Sequence, residues 1–210
     1  MQNNYVEALN RNQDSFGLDL SAETIEKLDL YYRLVLEHNP LLHLVGKCSD
    51  EEFAVRHILE SIFLLTLTGK SRTFADVGTG AGLPGIPCLV ASENLRGFLI
   101  ESKAKKSRFL ANAVERLEIG ERCTIINRQF SEIKKPNAGV VVSRALDKLS
   151  KKIPQLVEWS GRSTLALFAG ENVRRELDRL KLEYDAFLIP QSERRFLFLV
   201  QGHTKGRRKP

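Results

Sequence analysis

A glycine-rich stretch between residues 73 and 87 constrains the fold of this chain most. Its sequence is TFADVGTGAGLPGIP, in which a β-prone run leads directly into three alternating glycines, Gly78, Gly80 and Gly82. Glycine suits a sharp turn because it reaches backbone angles that other residues avoid and lets a ligand approach closely. The start of a following helix offers free N–H groups to a polar ligand. The stretch therefore predicts the strand, turn and helix of a βαβ nucleotide site.

The spacing of the glycines distinguishes two kinds of nucleotide site. The dinucleotide pattern G-x-G-x-x-G requires glycine at position 83, where this chain has Leu83. The pattern here, acid-x-G-x-G-x-G from Asp76, resembles motif I of class I S-adenosylmethionine (SAM) methyltransferases. A second acid, Glu101, ends the next predicted strand about 20 residues beyond the loop, where a carboxylate can hydrogen-bond a ribose. Because Asp76 and Glu101 both stand at the expected spacing from the glycines, a ligand site is favoured over a glycine-rich turn beside a surface acid.

Length and composition fit one soluble α/β domain with a small addition. The chain has 210 residues, of which 42% are hydrophobic and 28% charged. No apolar run approaches the length of a membrane span, and the polar start lacks a signal-peptide core. We therefore expect a cytoplasmic protein without a membrane partner.

The cysteines predict no special chemistry. Cys48, Cys88 and Cys123 are widely separated and have no metal-ligand spacing, and neither do the histidines. Free thiols in a reducing compartment are the expected state, and no metal site is predicted.

The net charge of +6 favours an anionic partner. Basic residues occur in several clusters, at positions 103–108, 148–152, 174–175 and 203–210. One such cluster is usually a solvated face. Several clusters beside a SAM-type loop make nucleic acid a plausible substrate.

The order of predicted elements defines the fold class. Strands are predicted at residues 73–77, 97–100, 123–126, 139–142 and 164–168, alternating with helices at 86–91, 103–117, 149–159 and 171–182. Two further strands, at 186–189 and 195–200, flank a turn and read as an antiparallel hairpin. This alternation predicts a mostly parallel seven-stranded, Rossmann-like sheet covered on both faces, of the class I SAM-dependent methyltransferase type.

The chain before residue 70 reads as helical. Ser21 is placed as the N-cap of a helix that ends near residues 39–40, followed by an apolar stretch, 41–45, that is expected to be extended. Ser49 and Glu52 have the form of a capping box that opens a second helix. We expect a helical cap at residues 1–70, a SAM-binding methyltransferase domain at 71–202 and a basic flexible tail at 203–210.

Four stretches resemble the bacterial small-subunit (16S) rRNA methyltransferase G family, also called the glucose-inhibited division protein B family. They are RHILES at 56–61, DVGTGAGLPGIP at 76–87, LIES at 99–102 with KKSRFL at 105–110, and SRA at 143–145. The match runs in order from about residue 20 to 200. It implies SAM as the cofactor, N7 of one guanosine in 16S rRNA as the target, and 16S rRNA or the small ribosomal subunit as the partner of a monomer.

The resemblance also implies site residues. Those expected to bind the cofactor are Asp76, Gly78, Gly80, Gly82, Leu83, Glu101, Ser102, Gln129, Phe130 and Arg144. Those expected in a catalytic role are Arg144, His57 and Arg56. Two of the latter also have an ordinary structural interpretation, since Arg56 can pair with Glu52 one turn earlier and His57 can be a helix-face histidine.

The motifs that are missing agree with methylation of a ring nitrogen. Guanine N7 has an exposed lone pair, so the enzyme mainly has to align it with the methyl group. The chain has Ser143-Arg144-Ala145-Leu146 where amine methylases carry Asn/Asp-Pro-Pro-aromatic, and no cysteine stands in the Pro-Cys context of 5-methylcytosine enzymes. A small-molecule methyltransferase and a non-catalytic RNA-binding protein of the same fold remain alternatives, and an NAD-dependent dehydrogenase is disfavoured by Leu83.

Overall fold

The computed structural model describes residues 4–69, 71–144 and 149–202. One seven-stranded sheet has the order β3-β2-β1-β4-β5-β7-β6. Its strands are β1 (Thr73–Val77), β2 (Arg96–Ile100), β3 (Cys123–Ile126), β4 (Val140–Ser143), β5 (Thr164–Ala169), β6 (Tyr184–Leu188) and β7 (Phe196–Val200). The first five pair in parallel, and β7 pairs antiparallel with both β5 and β6. This confirms the predicted sheet and its terminal hairpin.

Helices cover the sheet and build the N-terminal region. They are α1 (Asn4–Asn12), α2 (Ala22–Leu42), α3 (Asp50–Glu52), a π-helical segment (Phe53–Leu59), α4 (Glu60–Thr68), α5 (Gly85–Ala91), α6 (Ala104–Arg116), α7 (Leu149–Ser160) and α8 (Glu171–Arg179). The basic residues at 203–210, predicted to form a flexible tail, lie outside the described residues. No helix in the described ranges is long and apolar enough to cross a membrane.

Helix α2 begins as predicted and ends later than predicted. The Ser21 hydroxyl accepts the Thr24 N–H at 3.2 Å. Pro40 lies inside the last turn, where its missing N–H costs a single helical bond, and the helix ends at Leu42. His43 then takes a left-handed conformation (φ 47°) and its N–H reaches the Asn39 carbonyl at 2.9 Å. The expectation of an extended 41–45 segment was therefore wrong at residues 41 to 43.

One continuous helical stretch runs from α3 to α4 and changes its winding on the way. The Ser49 hydroxyl accepts the Glu52 N–H at 3.1 Å, as the capping pattern predicts. The Glu52 carboxylate pairs with Arg56. From Phe53 to Leu59 the winding is π-helical. This wide helical form is rare in proteins as a whole, and where it does occur it is often near a functional site. No sequence pattern predicted it.

Among the described residues two apolar clusters form the core, and the larger one joins the N-terminal helices to the sheet. It includes Tyr5, Tyr31 and Phe53 together with Phe74 and Leu99, all buried. The other cluster lies around Val141 and is built mainly from β-strand, α7 and α8 side chains. The residues before 70 are thus packed on the sheet through one shared apolar interior.

Candidate functional site

The glycine loop, residues 78–82, turns sharply at the carboxyl end of β1. Gly78, Gly80 and Gly82 have φ values of 72°, 60° and 97°, which side-chain-bearing residues rarely adopt. The Gly78 N–H donates to the Ile100 carbonyl at 2.9 Å, which ties the loop to β2. A Cβ on Gly82 would lie 2.4 Å from Cδ1 of Ile86, so this glycine also lets the loop pack against α5.

Asp76 supports the loop from inside the sheet. It is fully buried, and its Oδ2 accepts the Thr79 hydroxyl at 2.6 Å and the Gly85 N–H at 2.9 Å. Burial raises the Asp76 pKa to about 7, although these two hydrogen bonds act in the opposite direction. The carboxylate therefore joins the loop to the first turn of α5.

A cavity of about 460 Å³ opens beside the loop, at the carboxyl ends of the parallel strands. Such ends are where open α/β sheets bind ligands. The expected residues in its wall are Gly78, Gly80, Leu83, Glu101, Ser102, Gln129, Phe130, Arg144 and His57. Asp76, Gly82 and Arg56, also expected at the site, are not in its wall; Asp76 lies behind the loop, and Gly82 packs against Ile86 of α5.

Glu101 is held rigidly in the cavity wall. It is only 6% exposed. Its Oε2 accepts the Gly80 N–H at 3.0 Å and its Oε1 accepts the Lys103 N–H at 2.7 Å. Because a carboxylate oxygen has two lone pairs, both oxygens can still accept hydrogen bonds from hydroxyls in the cavity.

Gln129 and Phe130 follow β3 on the same side of the cavity. Phe130 is buried and meets the Trp159 ring edge-to-face at 5.7 Å. Gln129 begins a short turn in which its N–H approaches Glu132 at 3.4 Å. The Phe130 ring thus has a fixed orientation in the cavity wall.

The N-terminal region contributes a wall that the sequence did not predict. Leu44, Val45 and Gly46 line the cavity. The Asn39 side chain holds this segment by accepting the Leu44 and Val45 N–H groups at 2.7 and 3.0 Å and donating to the Val45 carbonyl at 3.1 Å. An asparagine just before a helix end was the signal available for such a cap.

Four cations also lie in the cavity wall: Lys103, Lys106, Arg128 and Lys152. Lys106 reaches across to the N-terminal region, where its Nζ donates to the His43 carbonyl at 3.2 Å. Partial burial lowers the Lys106 pKa from its usual value. The cavity therefore combines one fixed carboxylate with a positively charged rim.

Arg144 leaves the carboxyl end of β4 and crosses to the α3–α4 stretch. Its Nη1 donates to the Ser61 hydroxyl at 3.0 Å and to the His57 carbonyl at 3.4 Å. Its Nη2 donates to the Arg56 carbonyl and lies 3.4 Å from the Glu60 carboxylate. The guanidinium is thus fixed in the cavity wall by residues 56–61.

His57 lines the cavity as a neutral ring. It packs edge-to-face on Phe53 at 5.0 Å. Burial, and then the charges of Arg144 and Arg56, lower its pKa to about 4. Its buried Nδ1 finds no hydrogen-bond partner in the described part of the chain. The Arg56 side chain, by contrast, is half-exposed and pairs with Glu52, and it is the Arg56 backbone carbonyl that approaches Arg144.

Comparison with known sequences identifies the relatives of this chain. The family model described as rRNA small subunit methyltransferase G matches residues 24–201. A protein named ribosomal RNA small subunit methyltransferase G from Rhizobium meliloti (strain 1021) is 31% identical over 198 residues, covering 90% of this chain and 89% of its own. A protein of the same name from Magnetococcus marinus is 34% identical and covers 79% of each chain.

Solved structures share the fold at low sequence identity. Magnesium protoporphyrin IX methyltransferase from Synechocystis PCC 6803, solved with bound SAM, has a TM-score of 0.59 at 16% identity and covers 88% of this chain and 99% of its own. A cofactor-bound Rv0187 structure has a TM-score of 0.59 at 13% identity, with 83% and 91% coverage. These likenesses confirm the fold class.

Proposed function

This chain belongs to the rRNA small subunit methyltransferase G family, and we propose that it transfers a methyl group from SAM to N7 of a guanosine in 16S rRNA. The observation that carries the proposal is the position of Glu101. In a chain of this family, a carboxylate fixed by the Gly80 N–H stands at the cavity beside the glycine loop. That is the position in which a nucleoside ribose would be bound.

The residues of the cavity fit SAM. Glu101 would accept hydrogen bonds from the ribose hydroxyls, and Gln129 with Phe130 would face the adenine. A Cβ on Gly80 would meet only the Gly78 carbonyl, at 3.9 Å, so the loop leaves room for a ligand against its backbone. SAM supplies a sulfonium methyl group that a lone pair can attack directly. Asp76 and Gly82 would act indirectly by shaping this loop.

Methylation of N7 requires alignment of the guanine with the methyl group and needs no general base. Guanine N7 would attack the methyl carbon with its own lone pair while the bond from that carbon to the sulfonium sulfur breaks and S-adenosylhomocysteine leaves, so the gain in rate comes from holding N7, carbon and sulfur in line. Arg144 and His57 stand in the wall next to the loop, where the base would enter. The neutral His57 ring can hydrogen-bond a guanine edge, and so can the Nε–H of Arg144, whose Nη groups are held by residues 56–61. We assign both residues to base binding.

The cations around the cavity support an RNA substrate. Lys103, Lys106, Arg128 and Lys152 lie in the wall, and the chain has a net charge of +6. Phosphate binding by such groups weakens steeply with salt, whereas binding of a neutral small molecule does not. Affinity for 16S rRNA that stays constant as salt rises would favour a small-molecule methyltransferase.

We also propose the partner and the assembly. The substrate would be 16S rRNA or the small ribosomal subunit in the cytoplasm, bound by a monomer. Residues 1–70 would serve as the helical cap of the methyltransferase domain formed by residues 71–202. Two observations support this arrangement. The cap completes the cavity through residues 44–46, and its His43 carbonyl accepts a hydrogen bond from Lys106 of the methyltransferase domain.

Mass mapping of 16S rRNA from cells with and without the gene tests the proposal. We expect one 7-methylguanosine to disappear on deletion and to return with the wild-type gene. An unchanged set of modified guanosines would overturn it. A chain that binds rRNA but gives no calorimetric signal with SAM would indicate a non-catalytic RNA-binding protein.

A further inference from the structure

Glu60, the first residue of α4, is a buried carboxylate that joins three distant parts of the chain. It is 1% exposed. Its Oε1 accepts Nε of Arg195 at 3.0 Å and Nη2 of the same side chain at 2.5 Å. Its Oε2 lies 3.4 Å from Nη2 of Arg144. The carboxylate therefore stands between the end of β4 and the residue that precedes β7.

A buried charge of this kind needs its partners. An isolated carboxylate in the interior is strongly disfavoured, and removing one member of a buried ion pair leaves the others uncompensated. Here two guanidinium groups share one carboxylate, and the Arg144 side chain is itself only 14% exposed. Burial lowers the pKa of Arg144, while Glu60 raises it. Glu60 is thus the anion that stabilises the Arg144 charge inside the protein.

The same contacts determine how Arg144 is oriented. Its other Nη hydrogens reach the Ser61 hydroxyl and the carbonyls of Arg56 and His57, which leaves the Nε–H, without a partner among the described residues, as the donor available to the target base. Its guanidinium also lies over the Phe168 ring, 5.6 Å from the centroid. Glu60 does not line the cavity, whereas Arg144 does. Any effect of Glu60 on the cavity therefore passes through Arg144.

We propose that Glu60 is a positioning residue, which holds the Arg144 guanidinium in the orientation that receives the target base, with Arg195 as the second anchor of its carboxylate. The proposal rests on the proposed function, because Arg144 is assigned there to base binding. Glu60 itself touches neither substrate in this account. Its removal should misplace Arg144 without disturbing the glycine loop.

The test compares Glu60→Gln with the wild type in single-turnover methyl transfer and in calorimetric binding of SAM. We expect the transfer rate to fall by about 10- to 100-fold, the scale of a misplaced alignment group, with SAM affinity retained. In an Arg144→Ala background, Glu60→Gln should cause no further loss, since the two residues act as one unit. Glu176→Gln, which breaks an exposed pair with Arg179 on α8, is the control and should leave the rate unchanged.

A second variant covers the case in which Glu60→Gln does not fold. Ser61→Ala keeps the charges and removes the hydrogen bond that the Ser61 hydroxyl accepts from Arg144, together with the one that it donates to the His57 carbonyl, so we expect a rate loss of roughly fivefold with SAM affinity retained. Equal losses in rate and SAM affinity, or losses that multiply with those of Arg144→Ala, would overturn the proposal.

A readout without RNA separates this proposal from the proposed function. The Nη signals of Arg144 in nitrogen NMR should be resolved in the wild type, because its hydrogen bonds slow guanidinium rotation. They should broaden in Ser61→Ala or Glu60→Gln and not in Glu176→Gln. Unchanged Arg144 signals overturn the role of Glu60. A wild-type protein that transfers no methyl group to 16S rRNA, with these NMR changes present, overturns the proposed function alone.

Discussion

The Tyr31 hydroxyl in α2 donates a hydrogen bond of 2.8 Å to the Ala81 carbonyl in the glycine loop. Tyr31 is fully buried and Ala81 is 3% exposed. Fifty residues of chain separate the two groups. The conformation of the glycine loop therefore depends on the N-terminal helices as well as on β1 and α5.

Tyr31→Phe should weaken SAM binding while the fold is kept. It removes one buried hydrogen bond and leaves the Ala81 carbonyl without this partner, a loss of about 1 to 2 kcal/mol. Calorimetry should show affinity lower by roughly five- to thirtyfold. Tyr184→Phe, which loses a hydrogen bond to Asp178 near the surface, is the control. Equal affinities for the two variants would show that α2 does not hold the loop.

Glu101→Ala should weaken SAM binding more than Tyr31→Phe does. The change removes the proposed ribose acceptor and the acceptor of the Gly80 and Lys103 N–H groups. Hydrogen bonds to a charged group contribute about 1.5 to 3 kcal/mol, which predicts a loss of roughly 10- to 150-fold in calorimetric affinity. Glu115→Ala, at an exposed position of α6, is the matched control. Unchanged affinity in Glu101→Ala would refute the ribose assignment.

His57 and Asp76 should give the stability of the protein two opposing dependences on pH. Burial lowers the His57 pKa from 6.5 to about 4, so below about pH 6.5 the unfolded chain takes up a proton that the folded chain excludes. Stability then falls as the pH falls. Burial raises the Asp76 pKa from 3.8 to about 7, so the folded chain retains a proton that the unfolded chain loses. Its contribution falls as the pH rises through this window.

Single variants separate the two contributions in urea unfolding between about pH 4 and about pH 7. Relative to the wild type, His57→Gln should gain stability as the pH falls, and Asp76→Asn should gain stability as it rises. Each difference has a slope of at most about 1.4 kcal/mol per pH unit. Differences that stay flat across this interval would contradict the buried state of the corresponding group.

Gly82→Ala should destabilise the fold more than Gly80→Ala. Both residues have positive φ, so both variants carry backbone strain of about 1 kcal/mol. Only at Gly82 does the added Cβ collide with neighbours, at 2.4 Å from Ile86 and 3.2 Å from Leu110. Thermal unfolding of the two variants measures the difference. Equal unfolding midpoints would mean that Ile86 of α5 and Leu110 of α6 move away from the added Cβ without loss of stability.

Local sequence patterns predicted the sheet well. Strand β1 is found at its predicted bounds, and the largest shift among the strands is at β6, which begins at Tyr184 instead of residue 186. The signals for the sheet are local: alternating apolar residues, glycines at turns and acids at strand ends each involve a few neighbouring positions. The family resemblance added the site residues that follow β3 and β4. Glu101 could therefore be placed beside the loop before any coordinates were known.

The contacts that complete the site depend on segments far apart in the chain. Val45 lies in the cavity wall because Asn39 fixes the turn after α2, and Arg144 is oriented by residues more than 80 positions earlier. Such long-range contacts follow from tertiary packing and leave no periodic signal. The pairing of Arg56 with Glu52, one turn earlier, is local by contrast, and the sequence spacing already offered it.

Methyl transfer in a purified system tests the central claim most directly. The protein is incubated with methyl-deuterated SAM and with 16S rRNA or small subunits from a strain that lacks the gene, and the RNA is mapped by mass spectrometry. We expect a labelled methyl group on N7 of one guanosine, and we expect Arg144→Ala and Glu101→Ala to reduce this labelling strongly. Label on another atom or on no nucleotide, with the wild-type protein folded and bound to SAM, would contradict it.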